Sequence, residues 1–408
     1  MTFFLYSHYG DALPLGIALQ KAGADVVMHT VDEGTEHVGE GLIDLSEHPN
    51  PPAGSIVIFD DTGMGAEGTD LRNQGFAVIG GNPFDTKLGK DRRRGKEIMK
   101  EAGIVVPQGK SFKTIDEAKV YVTDKEGKWF VKVDGDLGNA STVDGDSETL
   151  KRYLTWVSAQ DKQVHGVELQ SALQGPEVSV EGWFDGEEFV FPFNATIEEK
   201  RLMAGNVGPR TGCESCVVWP YSGPLADELL KMTDVLRKEE YIGSLDLNMI
   251  VTQDGPVGLE WTARLGFDAS TALWVLAGPT LPEQLEAFAY GALPAWELSP
   301  EPALTLRLSI PPYPTEDKKL GRKMYGYPID SGMSQETIYP TDIRLGPSGL
   351  ECAGRDGLLG CIVTQGNDMK SKAVDIAGSL KIPSLQYRID PVSRYEKTLK
   401  ELDALGVL

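Results

Sequence analysis

An α/β protein, with a parallel-sheet domain at its start and mixed α+β and β-rich units after it, is predicted by three observations. The first ninety or so residues alternate short apolar runs with helical segments, the rhythm of βαβ units. From about residue 108 the pattern changes to a small mixed unit of strands and helices. Between 243 and 264 apolar residues fall on alternate positions, the period of strands with one buried face. A chain of 408 residues is long enough for roughly two to four compact domains.

Taken in order, residues 3–7, 24–31, 55–60 and 76–80 read as strands, and 11–22 and 85–102 as helices. Ligands of such a sheet gather at the carboxyl ends of its strands, where Tyr9-Gly10-Asp11 and Asp60-Asp61-Thr62-Gly63 fall. In the mixed unit Thr114-Ile-Asp-Glu117 is a capping box that opens one helix. A second helix is expected over 146–159, with strands over 129–134, 167–172, 177–184 and 188–193, the last two joined by an Asp185-Gly186 turn. The prolines of 297–302 mark a boundary before a final β-rich unit, which ends in a charged helix over 394–405. The expected units are 1–90, 91–193 with a mobile subdomain over about 108–190, 194–298 and 299–408.

The 243–264 segment is the most informative. Leu245, Leu247, Met249 and Val251, then Val257, Leu259, Trp261 and Ala263, are apolar at odd positions. Apart from Ile250, the even positions are polar or small and carry Asp246, Asn248, Glu260, Thr262 and Arg264. A three-residue turn over Gln253-Asp254-Gly255 pairs odd with odd and sets Asn248 opposite Glu260 and Asp246 opposite Thr262. Two carboxylates and an amide gathered in this way suit Mg2+ carrying nucleotide phosphates, or form an ordinary solvated strand face.

Composition narrows the function classes. With 39 basic and 61 acidic residues the formal charge is −22, a field that repels nucleic acid and anionic membranes. No apolar run approaches membrane-spanning length, and Met1 to Ser7 lacks the basic start of a signal peptide, so a cytoplasmic protein is expected. Cys213-Glu-Ser-Cys216 has the spacing of a zinc or redox pair, but no histidine lies near it and Cys352 and Cys361 do not form a matching knuckle. The five histidines show no ligand spacing.

Two further segments carry chemistry. Lys132 sits in an apolar run followed by a glycine-bearing loop through Ser141, where an ammonium and loop amides can hold phosphates. In Leu169-Gln-Ser-Ala-Leu-Gln-Gly-Pro-Glu-Val-Ser179 an extended segment can read adenine through its backbone, and a carboxylate beyond the turn can bind ribose hydroxyls. These pieces, in this order, resemble the ATP-grasp superfamily, and within it the glycinamide ribonucleotide synthetases. The resemblance runs through Gly95–Pro107, Phe130-Val-Lys-Val-Asp-Gly135, Gln174-Gly-Pro-Glu-Val-Ser179, the substrate-loop segment from Glu199 to Gly212, the metal strand from Gly258 to Asp268, and Cys361–Gly366, Lys372–Ala377 and Gln386-Tyr-Arg-Ile-Asp390.

The resemblance implies an ATP-grasp fold and an ATP-dependent ligase that joins an amino acid to an amine through an acyl phosphate. The nearest example is glycine joined to 5-phosphoribosylamine; a different acid and amine, or nucleotide binding without catalysis, are the alternatives. It implies ATP and Mg2+ (or Mn2+), small-molecule substrates, and a monomer or homodimer. Lys132 and Arg92 would contact ATP phosphates, Gln170 to Leu173 the adenine and Glu177 the ribose. Glu260 would hold the metal with Asp246 or Asn248, while Lys200, Asn206, Arg210 and Arg264 would face the substrate or transferred phosphate. Three departures stand out: Thr262 replaces the family's usual asparagine, Cys213-Glu-Ser-Cys216 replaces Gly-Met-Gly, and Ser7-His-Tyr-Gly-Asp11 replaces a glycine pair with Arg-Glu-His.

Overall fold

The computed structural model describes every residue except 124–125, 136–141, 161–163 and 316. Strands β1 (Thr2–Ser7), β2 (Asp25–Thr30), β3 (Asp44–Leu45), β4 (Ile56–Phe59) and β5 (Ala77–Ile79) form a parallel sheet in the order β3-β2-β1-β4-β5. The strand order reverses at β1, so the loops after β1 and β4 flank the crevice in which such sheets bind ligands. Two helical features depart from the sequence expectation. The segment 85–102 is two helices, Asp85–Gly89 and Arg92–Glu101, because Asp91 N-caps the second by accepting from the Arg94 amide at 3.0 Å. The helix Gly65–Asn73 was not foreseen, since it has no apolar stripe; it packs through Gly65, Gly68 and Leu71, with Gly68 so close to the Gly81 carbonyl that no Cβ fits.

β6 (Gly109–Phe112), β7 (Trp129–Gly135), β8 (Thr142–Gly145) and β9 (Val164–Ser171) form an antiparallel sheet in the order β6-β9-β7-β8. The helices Ile115–Thr123 and Ser147–Ser158 cover it, burying Ala118, Val122, Leu150 and Leu154 against Val131 and Leu169. The Thr114 capping box forms as expected, with the Glu117 amide donating to Thr114 Oγ1 at 3.3 Å. The glycine-bearing loop after Lys132 lies mostly in 136–141, outside the described residues.

A third sheet of eight strands organises the remainder. It comprises β10 (Glu177–Phe184), β11 (Phe189–Met203), β12 (Val207–Tyr221), β13 (Gly243–Thr252), β14 (Gly255–Thr262), β15 (Ala303–Ser309) and β16 (Ile338–Pro340), together with β19 (Leu358–Gln365); β17 (Ile343–Gly346) and β18 (Gly349–Cys352) pair separately. The sheet order is β14-β13-β10-β11-β12-β15-β19-β16. The strand expected over 188–193 continues to Met203, so the segment 199–212 is a β-hairpin whose tip at Asn206 has φ 57°.

The β13–β14 hairpin has the expected faces near the cleft but not near the turn, where Val257, expected on the face of Leu247, pairs Ile250 of the other face. Asp246 pairs Thr262, Leu247 pairs Trp261 and Asn248 pairs Glu260, as the alternation requires. Nearer the turn Met249 pairs Gly258 and Thr252 pairs Gly255, so the connection is the two residues Gln253-Asp254 and not a three-residue turn. One extra residue, Leu259, is inserted between the two registers as a β-bulge. The Gly258 amide donates to the Val105 carbonyl at 2.8 Å, which ties the bulge to the chain just before β6. On the buried face Leu245, Leu247, Met249 and Trp261 pack with Ile98, Met99 and Ile104. Trp261 Nε1 donates to the Gly95 carbonyl at 3.2 Å, which sets the helix Arg92–Glu101 on the hairpin.

Leu247→Ala should lower the unfolding free energy by about 2–5 kcal/mol, while Ile250→Ala on the opposite face should cost far less. Equal shifts in the urea midpoint for the two variants would contradict this assignment of faces.

Candidate active site

The polar face of the eight-stranded sheet is laid out by register. One row runs across four strands as Glu260, Asn248, Ser179 and Thr196, and the next as Thr262, Asp246, Glu181 and Asn194. All eight line a cavity of about 310 Å3, which is closed further by Lys200, Arg264 and Asp268. The sequence signal for the β10 members was the same period-2 alternation, since Glu177, Ser179 and Glu181 interleave with buried Val178 and Val180. Glu181 and Glu198 were nonetheless missed, because their neighbours across the sheet come from strands distant in sequence.

Lys200 is the hub of the cavity's charges. Its Nζ donates to Glu177 Oε1 at 2.7 Å and lies 3.5 Å from Glu198 Oε2. Asn248 Nδ2 donates to the same Glu177 oxygen at 2.9 Å. The Lys200 ammonium holds the Glu177 carboxyl down to about 2. The protein around Glu260 disfavours its charge, but Lys200, Lys132 and Arg92 outweigh that and keep its carboxyl below the ordinary value. Burial has the opposite outcome in the second row: it lifts Glu181 to about 7, and it raises Asp246 with help from Glu181 and Glu198. The two rows therefore differ in charge, one held ionised by cations and the other pushed toward the neutral acid.

Lys132 reaches the site from the small sheet. Burial lowers its ammonium, opposed by Glu260 and Glu168, while Lys96 and Arg92 add to the lowering. Arg92 is the first residue of its helix, and Lys96 stands one turn further along, donating to Gln170 Oε1 at 3.1 Å and bonding Glu168. Lys96 and Glu168 were not singled out from sequence; the i, i+4 spacing from Arg92 was the available signal. Leu173 lies in the part-buried connection between β9 and β10. Arg264 lies 3.5 Å from Asp61 and 4.0 Å over the Phe267 ring, linking the cavity to the loop after β4.

Lys132, Arg92, Lys200, Glu177, Asp246, Asn248, Glu260 and Arg264 thus converge from four parts of the fold. Arg210 stands at the edge of this group: with Arg201 it approaches Asp144 of the small sheet, at 3.5 and 3.6 Å, and its charge also helps to lower Glu177. Asn206 is at the hairpin tip, away from the cavity lining. Cys213 and Cys216 are buried free thiols, and among the described residues no group of three His, Cys, Asp or Glu side chains could hold a metal by itself.

A second cavity, of about 560 Å3, shares Thr211, Phe267, Asp268 and Arg307 with the first and extends to Tyr9 and Asp11 at the end of β1. Arg307 is buried in an ion pair with Asp268 and donates to the Tyr313 hydroxyl at 2.8 Å. Sequence reasoning had no signal for this pair, which joins elements 39 residues apart. The loop after β1 is wound on Ser7, whose Oγ bonds Asp60 and accepts from the Gly10 amide at 2.9 Å. Asp60 also accepts from the His8 amide at 3.0 Å, yet burial and nearby Asp11 lift its carboxyl to about 7.

Comparison with known proteins bears on this geometry. Residues 91–271 match the family model described as phosphoribosylglycinamide synthetase, ATP-grasp (A) domain. A phosphoribosylamine–glycine ligase of Leifsonia xyli is 27% identical over 343 residues, covering 79% of this chain and 80% of the relative. The crystal structure of a phosphoribosylamine–glycine ligase from Thermotoga maritima superposes with a TM-score of 0.73 at 20% identity, covering 96% of this chain and all of that one. The biotin carboxylase domain of Hydrogenobacter thermophilus 2-oxoglutarate carboxylase, solved with MgADP, ADP and bicarbonate, superposes with a TM-score of 0.60 at 13% identity over 94% of this chain and 91% of that one. The α/β architecture, with its parallel N-terminal sheet and large antiparallel sheet, is that of an ATP-grasp protein. Among the described residues no helix is long and apolar enough to cross a membrane.

Asp60 provides a test of the electrostatics at the end of β4. Between about pH 4 and 7 the folded protein keeps a proton on Asp60 that the unfolded chain has released, so its contribution to stability falls as pH rises through that window. Asp60→Asn should remove this fall, and the thermal midpoint of the variant should gain on the wild type as pH is raised from 4 to 8. An unchanged difference across that range would contradict the assignment.

Proposed function

We propose that this ATP-grasp chain, similar over most of its length to phosphoribosylamine–glycine ligases, is an ATP-dependent carboxylate–amine ligase. The observation that carries the reading is the convergence of Lys132, Arg92 and Lys200 on Glu260, at the end of a row of oxygen donors. Unreacted carboxylates resist attack by amines. Transfer of the terminal phosphoryl group of ATP to the carboxylate gives an acyl phosphate, and the amine then displaces phosphate to form the amide. Such transfer depends on positioning and charge stabilisation and needs no protein nucleophile. The first pair to consider, from the names of the relatives, is glycine and 5-phosphoribosylamine.

In this reading Lys132 and Arg92 hold ATP phosphates, Gln170 to Leu173 take the adenine, and Lys200 and Arg264 face the transferred group. Glu177 binds Lys200 and Asn248 through Oε1 alone, which leaves Oε2 for a ribose hydroxyl. Asn248 commits its amide nitrogen to Glu177, so its amide oxygen is the donor to a cation beside Glu260 and Asp246. This hard-oxygen set fits Mg2+ or Mn2+, with remaining ligands from the phosphates; the ion would offset phosphate charge. Arg210, placed by Asp144, would act at the rim. The second cavity is the place for the amine, next to Arg307 and Tyr9.

The same chemistry on a different acid and amine is the second reading. It is favoured by the cations of the second cavity that already have partners: Lys318 with Asp32 at 2.7 Å, Arg355 with Asp11 at 2.5 Å and Arg307 with Asp268.

ADP release with ATP, Mg2+, glycine and freshly made 5-phosphoribosylamine is expected only when both acceptor substrates are present. Release with other acid–amine pairs would support the second reading, and bound nucleotide without turnover across a broad panel would sink both. Glu260→Ala should abolish metal-dependent ADP release with an unchanged circular-dichroism spectrum; activity retained by this variant would refute its assignment.

A further inference from the structure

The C-terminal segment carries a buried guanidinium that the reaction as proposed does not use. Arg388 has no exposed surface and is the largest fully buried side chain among the described residues. Its Nη2 lies 2.7 Å from Glu199 Oε2 and 3.0 Å from Asp390 Oδ1, and Nη1 donates to the Arg201 carbonyl at 3.1 Å. The neighbours of Arg388 extend the grip. Ser393 Oγ donates to Glu199 Oε1 at 2.6 Å, Asp390 Oδ2 accepts from the Gly205 amide at 2.7 Å, and the Val392 amide donates to Ser215 Oγ at 3.0 Å.

Apart from the contact between Arg388 and Asp390, all these ties land on the β11–β12 hairpin, and those to Glu199 and Arg201 bracket Lys200. The pairing of β11 with β12 is interrupted at this place, with register shifts between Glu199 and Arg201 and again between Arg201 and Met203. The interstrand ladder therefore does not by itself fix the stretch that presents Lys200. The clamp takes hold on either side of Lys200, through the Glu199 carboxylate and the Arg201 carbonyl, and so sets the direction of the lysine between them. Packing alone would not select a charged clamp, because apolar side chains of similar volume are often at least as stabilising as a buried ion pair.

We infer that Arg388 is a positioning residue: it holds the interrupted stretch of β11 so that Lys200 projects between Glu177 and Glu198 into the cleft. This inference rests on the ligase reading, in which Lys200 faces the transferred phosphate.

Arg388→Lys keeps a positive charge beside Glu199 but cannot span Glu199, Asp390 and the Arg201 carbonyl together. In the wild-type background it should lower kcat for ADP release about tenfold or more, measured per folded protein. In a Lys200→Met background the same change should alter kcat less than about twofold, because two residues acting through one contact are not additive. A purely structural role predicts equal losses in both backgrounds, and that result would overturn the inference. If Arg388→Lys does not fold, Asp390→Asn, which loosens the same clamp from a part-exposed position, replaces it in the cycle with the same criterion. Wild-type protein that releases no ADP with any acid–amine pair would count against the ligase reading instead. The cycle is then read on the dissociation constant of a non-hydrolysable ATP analogue, where additivity again overturns the inference and non-additivity supports it.

Discussion

A single inserted residue in β14 decides which side chains meet in the cleft. Without the bulge at Leu259 the register near the turn would continue, and Glu260, the one acid of β14, would pair with Leu247 and turn toward the hydrophobic core. With it, Glu260 and Thr262 fall into line with Asn248 and Asp246, and through β10 with Ser179 and Glu181. The bulge is held from outside the sheet, by Gly258 on Val105 and by Trp261 on Gly95. The same contacts that pack the helix bearing Arg92 and Lys96 thus set the register of the acids that those cations face.

Charge in the cleft follows from the balance of burial and nearby cations at each acid: burial raises Glu198 although Lys200 lies 3.5 Å away. Glu260 and Glu177 sit beside lysines and stay ionised, while Asp246 and Glu181 lie deeper, next to other acids, and are shifted toward protonation. A bound cation or an anionic substrate would change that balance, so the apparent pKa values of these groups belong to the coupled set. The polar face is a graded surface on which Glu177, bonded to Lys200, carries the firmest negative charge.

Much of this was legible in the sequence, and the remainder was not for identifiable reasons. Alternation gave the faces of Leu245 to Val251 and of Glu260 to Thr262, but not that of Val257, which the bulge sets opposite Ile250. A three-residue turn and a two-residue turn with a bulge give the same pairing at Asn248 and Glu260, so the sequence pattern could not separate them. The helix Gly65–Asn73 packs through glycines and therefore carries no hydrophobic period. Motif order exposed Lys132, Glu177 and Glu260, whereas Lys96, Glu181, Arg307 and Arg388 acquire their neighbours only through tertiary pairing across long stretches of chain.

The eight-stranded sheet passes without a break from the cleft into the C-terminal third, through pairs that join Ser215 to Leu306 and Val218 to Ala303. A chain ended before β15 would leave this part of β12 as a row of unpaired amides and carbonyls next to Cys213 and the cavity rim. Bare edges of that kind recruit other strands. The last hundred residues are thus a shield for the sheet as much as a unit of their own, and shortened versions of this protein would be prone to associate edge to edge.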